Sequence, residues 1–338
     1  MVLAYLARHW MARRHYPFKS WSACVGRSLR VLLFYRTHAR LLSTEIYRDY
    51  VTRAHDDVFN HLSHRDYLTK GLSLRERVQR AQVHYRFEQD NFDAAYKQAV
   101  YCGDGLPLWR HEADGRVFEI RLQMACRLNA EGDLTLTAMT DGKRLHRLSF
   151  SWVDGHFVGA DQPIVPFAAR NQGYREDGSD ALVAFERAFP HNSPSFFCFA
   201  ALNGIAQALG MNRIAGVKST CQSAYDAASE KHFVNAYDGF WQTLGGVSTA
   251  GRTFDIALPL QLRPLSETPA KHRKRAATRR EHWASIAESA RCALLPRLAR
   301  ARAAAPAGTG AGAGTKIEAD AETSSEARAP MSTLLPEA

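Results

Sequence analysis

Between Val117 and Val153 polar and apolar residues alternate with a period of two, and short glycine-bearing turns interrupt the alternation. That pattern admits half-buried strands and excludes helices, whose apolar residues recur every three or four positions. Val117–Cys126 (VFEIRLQMAC) and Asp133–Thr140 (DLTLTAMT) alternate on either side of a turn at Glu131-Gly132. Asp141-Gly142, a strong hairpin signal, leads into Leu145–Val153 (LHRLSFSWV), and Asp154-Gly155 repeats the device before His156–Ala160. Four strands joined this tightly predict an antiparallel meander.

On either side of the meander the period is helical. Upstream, Glu76, Arg77, Val78, Ala81, Val83, His84 and Phe87 fall in a helix-length pattern, and a further helix over Asp93–Val100 stops at Cys102-Gly103. Downstream, residues 161–180 form a polar, proline-bearing stretch, long enough for a functional or mobile loop. A helix over Ala181–Phe189 follows. Then Asn192, Ser193 and Pro194 supply a helix start for Ser195–Leu209, whose Phe196, Phe199, Leu202, Ile205 and Leu209 make a core stripe. Arg213–Val217 (RIAGV) reads as a short buried strand, Thr253–Leu260 as a last strand, and residues 270–295 as a charged helix. From Ala301 the composition of Ala, Gly, Thr, Ser and Glu cannot bury enough apolar surface to fold, which predicts a disordered tail. The expected class is α+β, in four parts. Residues 1–103 are a basic helical region, and 104–262 hold a meander continued by a helix-strand crossover. Residues 263–300 form a basic C-terminal helix, and 301–338 the tail.

The chain carries a net charge of +10, and the charge is not spread evenly. Residues 1–44 contain eight Lys or Arg and no acidic residue, with Leu29, Leu32, Leu33, Tyr35 and Leu41 interleaved among Arg27, Arg30, Arg36 and Arg40. Such a basic amphipathic pattern suits a helix lying on anionic lipid, or one capping a domain with its Arg stems over the surface. A second run, Lys271–Arg280, holds Lys271, Arg273, Lys274, Arg275, Arg279 and Arg280, six cations in ten residues. It is either a solvated face or a binder of phosphate or anionic lipid. Nucleic acid fits less well, because no aromatic stacking groups alternate with these cations. The opening residues do not read as a secretory signal, since Arg8, Arg13 and Arg14 cut the apolar run. With no apolar window long enough to span a bilayer, the expectation is a cytoplasmic protein, peripheral to the inner membrane if it touches one. The six cysteines are scattered without C-x-x-C spacing, as expected of reduced thiols rather than a zinc or disulfide framework.

No metal motif, phosphate loop, nucleophile elbow or dinucleotide fingerprint is present. Two features remain beside the basic run. Tyr237-Asp238-Gly239-Phe240-Trp241, ending at Gly245-Gly246, is either core followed by a turn, with Asp238 capping a helix, or the rim of a pocket. In the second case Tyr237 and Asp238 are its polar groups, Trp241 its wall, and the two glycines admit a ligand. His84 is either a structural residue or a proton-transfer group.

These residues also carry a resemblance. His84-Tyr85, Phe157-Val158-Gly159-Ala160, Ile205–Gly210 running into Ile214-Ala215-Gly216-Val217, and above all Lys231, Tyr237-Asp238, Phe240-Trp241 and Gly245-Gly246 form a recognisable set. Leu258-Pro259, Arg263-Pro264-Leu265, Glu267, Pro269, Lys271, Arg273 and Arg279-Arg280 extend it. Over residues 20–290 the chain resembles the VirK/YbjX family of bacterial proteins. The resemblance implies an envelope role: resistance to cationic antimicrobial peptides, lipid A remodelling and virulence, with no established reaction. One stretch departs from it. Where the family pattern runs V-S-N-x-x-H, this chain has Val217-Lys218-Ser219-Thr220-Cys221-Gln222, so any site using that Asn and His is altered here. The order meander, helix, strand, helix, strand is also similar to an acyl-CoA N-acyltransferase (GNAT) core, a likeness of fold that does not fix function. It implies acyl-CoA as cofactor, with Arg170, Gly173 and Arg175 forming part of a phosphate cradle.

Overall fold

The basic N-terminal segment folds as two helices, α1 (Phe18–Leu33) and α2 (Tyr35–Leu42). These coordinates are a computed structural model that describes residues 17–51, 66–125, 131–173 and 179–299, together with residues 7, 10, 11 and 62. Of α2, His38, Leu41 and Leu42 are buried, whereas α1 leaves Phe18, Leu29 and Leu32 exposed. The first long helix to pack on the sheet, α3 (Leu74–Asn91), starts at a reciprocal cap. Ser73 Oγ accepts from the Glu76 amide and Glu76 Oε2 accepts from the Ser73 amide at 2.8 Å. Its buried face is Val78, Ala81, His84, Tyr85 and Glu88, so three of the five inward residues are ionisable.

Five antiparallel strands then follow in sequence order: β1 (Leu106–Ala113), β2 (Arg116–Met124), β3 (Leu134–Thr140), β4 (Lys143–Asp154) and β5 (Ile164–Gly173). The expected meander is therefore present, with two corrections. His156–Ala160 is no strand: Asp154 Oδ1 accepts from the Phe157 amide at 3.0 Å and turns the chain through a helical turn, Gly155–Val158. The strand that completes the meander lies instead inside the expected 161–180 loop. Between β4 and β5 the register shifts, Ser149 pairing with Arg170 but Phe150 with Ala168, so Ala169 is an extra residue on β5. Such a bulge re-aims the side chains beyond it.

Two helices, α4 (Ser179–Ala188) and α5 (Pro194–Ala208), carry the chain over to β6 (Arg213–Val217), which runs parallel to β5 through only two register pairs, Phe167 with Ala215 and Ala168 with Gly216. After α6 (Glu230–Ala236) and α7 (Asp238–Thr243), the chain returns through β7 (Val247–Ser248) and β8 (Thr253–Ala257). The eight-stranded order is β1-β2-β3-β4-β5-β6-β8-β7, with β8 antiparallel between β6 and β7. The class is α+β. The C-terminal helix α8 (Ala270–Leu294) packs along α5 and against β1, burying Ala276, Trp283, Ile286, Ala287, Ala290 and Leu294. The core stripe of α5 is in place, with Phe199, Leu202 and Ile205 buried. All described residues lie in one compact unit, Met1–Ala304. The expected tail, 301–338, falls outside the described residues. Among these, no helix is long and apolar enough to cross a membrane.

Candidate functional site

The polar residues of the molecule converge at the start of β3. Gly132 has φ 126°, and a Cβ there would stand 2.7 Å from the Phe150 amide nitrogen, so the chain lies flat on β4 and only glycine fits. Its neighbours Glu131 and Asp133 are each 8 % exposed and project as a pair of buried carboxylates. Each is held by its own set of donors. Glu131 forms an ion pair with Arg170 of β5 at 3.0 Å and accepts from Ser223 at 3.0 Å and from the Gln222 side-chain amide. Asp133 accepts from the hydroxyls of Tyr67, Tyr85 (2.9 Å) and Ser151 (2.6 Å). Buried carboxylates persist only when their lone pairs are filled this way.

A third carboxylate lies deeper. Glu88 on α3 accepts from Trp152 Nε1 at 2.5 Å, Tyr101 at 3.0 Å and Tyr96 at 3.2 Å. Burial pushes its carboxyl up to about 7, although the three donors pull the other way. One turn earlier, His84 is fully buried, and burial lowers its pKa. Its Nδ1 accepts from the Trp152 amide at 3.2 Å, which assigns the proton to Nε2; that nitrogen has no hydrogen-bond partner among the described residues. As a catalyst open to substrate, His84 is thereby corrected: it is a core histidine.

Tyr237 lies in the same polar region and is 1 % exposed. Its hydroxyl accepts from the Asn171 amide (3.4 Å) and from Gln172 Nε2 (3.2 Å), and burial together with Glu131 raises its pKa. A phenol so raised stays protonated and serves as a donor, not as a base. Asn171 joins the strands here. Its Nδ2 donates to the Ala236 carbonyl at 2.9 Å, which turns Oδ1 toward His146 Nε2 at 2.7 Å; burial lowers His146 to about 4 and keeps it neutral.

The remaining residues of the 237–246 stretch are structural. Both Asp238 oxygens accept from Ser219, from its amide and its hydroxyl, each at 2.7 Å, so the carboxylate caps the turn after β6. Trp241 is fully buried with its indole against Gly216, and its Nε1 donates to the Val217 carbonyl at 2.8 Å; it is core, not the wall of an open pocket. Gly245, with φ 81°, and Gly246, whose Cβ would stand 2.8 Å from the Trp241 carbonyl, turn the chain tightly past α7. Arg170 is committed to Glu131 and is not available to a phosphate cradle. Arg175 lies outside the described residues.

The basic run occupies the first turns of α8. Lys271, Arg273, Lys274 and Arg275 are exposed. Arg273 is anchored to the carbonyls of Thr268 (2.9 Å) and Ser266 (3.0 Å), Arg280 to the carbonyl of Arg263, and the Arg279 guanidinium lies over Trp283 at 5.6 Å. These cations are not brought together with the Glu131 cluster, so the sequence candidates separate into two places.

Sequence reasoning missed Glu131, Asp133 and Glu88. Glu88 carried a signal: it stands three residues beyond Tyr85 on the face that also holds Val78 and Ala81. Glu131-Gly132-Asp133 gave only a turn signal. Of the departing positions noted in the sequence, Gln222 serves the cluster through Glu131, whereas Ser219 donates to Asp238. A Gln at 222 keeps the hydrogen bond and removes a titrating group.

Fold and cluster together define an α+β protein with a sealed acidic-aromatic core and a separate cationic face. A family model described as Protein of unknown function (DUF535) matches residues 21–290, and the chain belongs to that family. No curated protein and no solved structure matches it.

Proposed function

We propose that this protein is a VirK-like factor of the bacterial envelope, supporting antimicrobial-peptide resistance, lipid A remodelling and virulence. It works at the cytoplasmic face of the inner membrane by lying on anionic lipid. The observation that carries this is α1 and the start of α2, where Phe18 (64 %), Leu29 (49 %), Leu32 (45 %) and Tyr35 (53 %) stand exposed in a segment without acidic residues. Apolar side chains of this kind gain by burial at a headgroup boundary, and the neighbouring arginines add attraction to anionic lipid. The exposed Lys271, Lys274 and Arg275 of α8 supply a second cationic contact. Co-sedimentation with vesicles, with and without phosphatidylglycerol, tests it; equal binding to neutral vesicles would sink it.

A second activity, acyl-CoA-dependent acyl transfer, is favoured by the sheet. A meander leads through helices to a parallel strand that pairs with β5 over only two register pairs, and β8 continues the sheet antiparallel. Ligands of crossover sheets bind where neighbouring strands part. Tyr237 stands beside the β5 end of that junction, its hydroxyl accepting from the Asn171 amide. Titration calorimetry with acetyl-CoA and longer acyl-CoAs tests this, and absence of heat with all of them removes it.

A further inference from the structure

Two cavities open side by side at the base of α8. The first, about 450 Å³, is lined by Arg263, Arg275, Arg279, Arg280, His191 and His272 among others. The second, about 360 Å³, is lined mainly by apolar groups: Phe196, Phe199 and Ala200 of α5, Leu244, Leu260 and Ala284. Leu262, Arg280 and Trp283 line both, so the two compartments adjoin across a common wall. That wall is rigid. Trp283 Nε1 donates to Asn192 Oδ1 at 3.1 Å, its ring stacks on Phe196 at 4.8 Å, and Arg279 covers its other side.

The charges are uneven between the two. In the cationic compartment, Arg263 is partnered by the exposed Glu267 at 3.3 Å, and Arg275, Arg279 and Arg280 have no carboxylate partner among the described residues. In the apolar compartment the one acid, Glu288, is paired with Arg291 at 2.7 Å. Several guanidinium forks facing one cavity match an anion with several oxygens, phosphate before carboxylate. An apolar cavity in the usual ligand size range, opening off that anion site, matches a hydrocarbon chain.

We infer that this paired cavity is a binding site for a single-chain acyl lipid with a phosphate headgroup, the phosphate among Arg275, Arg279 and Arg280 and the chain along α5. This goes beyond association with a surface, for which charge and exposed apolar groups suffice, because it requires one ligand held in one place.

The test is titration calorimetry of the full chain with dodecyl phosphate, inorganic phosphate and the neutral dodecyl maltoside. The expected result is one-to-one binding of dodecyl phosphate, tighter than either partial probe by roughly tenfold or more. Ala284→Trp, at an exposed position, fills the apolar compartment; Gln207→Trp does so from the exposed side of α5 should the first variant not fold. Either should weaken dodecyl phosphate binding by roughly tenfold, as should the double change Arg275→Gln and Arg279→Gln. Ala284→Trp should leave vesicle association through α1 unchanged, so the two proposals fail separately. Equal binding of all three probes, no binding of dodecyl phosphate, or full affinity in the tryptophan variants would overturn the inference.

Discussion

Gln222 donates its side-chain amide to Glu131, and this contact ties the loop after β6 to the start of β3, 91 residues earlier in the chain. Because Glu131 also neutralises Arg170 of β5, the carboxylate is the common anchor of β3, β5 and the loop after β6. Removing it deprives a guanidinium that is only 15 % exposed of a carboxylate at 3.0 Å.

Glu131→Gln should therefore destabilise the fold by about 3 kcal/mol, the cost of breaking a buried pair from one side. Urea denaturation measures it. The double variant Glu131→Gln/Arg170→Gln should cost less than the sum of the single changes, since the two side chains are in direct contact and their mutual attraction is lost only once. Strict additivity would mean that the pair does not couple.

Glu88 predicts a pH dependence with a definite sign. Its folded carboxyl titrates at about 7, against 4.5 for the unfolded chain, so the folded state holds the proton more tightly. Its contribution is fully present below the unfolded value and is lost as pH rises through about 7. Glu88→Gln stays neutral, so its stability relative to wild type should rise with pH, by up to about 1.4 kcal/mol per unit between about pH 5 and pH 7. His84 and His146, both lowered by burial, act in the opposite direction, their contribution being lost as pH falls below 6.5. They are common to both proteins and cancel in the difference. A flat difference curve would place the Glu88 titration elsewhere.

Gly216→Ala should cost about 1–3 kcal/mol by overpacking. The new methyl would stand 2.6 Å from two ring carbons of Trp241, a ring pinned by its bond to Val217. Gly251→Ala, where the nearest atom is Thr249 Oγ1 at 3.7 Å, is the matched control and should be close to neutral. Thermal melts of the two variants decide it.

Which parts of this molecule were legible in its sequence follows from what each segment buries. β2, β3 and β4 were legible because successive side chains face opposite sides of the sheet, apolar on one and polar on the other, even where the polar Thr135 and Thr137 of β3 are buried, and because their hairpin turns are local. β5 escaped notice because Pro163, Pro166, Arg170, Asn171 and Gln172 look like loop residues. The polar ones are polar because their partners are distant in the chain: Arg170 meets Glu131, and Asn171 meets His146. Likewise β1 is an edge strand that buries only Leu106 and Leu108, too few to show a period. The 237–246 stretch stood out for its aromatics, but what those aromatics do is set by Gly216 and Val217 on another strand, which no local pattern reveals. The acidic cluster is assembled from residues as far apart as Tyr67 and Gln222, and only the sheet brings them together.

The exposed apolar residues of α1 carry the functional account. Leu29→Ser/Leu32→Ser removes two of them at solvent-facing positions, and its stability should stay within about 0.5 kcal/mol of wild type. The decisive measurement is co-sedimentation of wild type and this variant with vesicles containing phosphatidylglycerol and with neutral vesicles. The account predicts that wild type sediments with the anionic vesicles, less so as salt is raised, and that the variant stays in the supernatant while melting normally. Wild type that ignores lipid charge, or a folded variant that binds as wild type does, would contradict it.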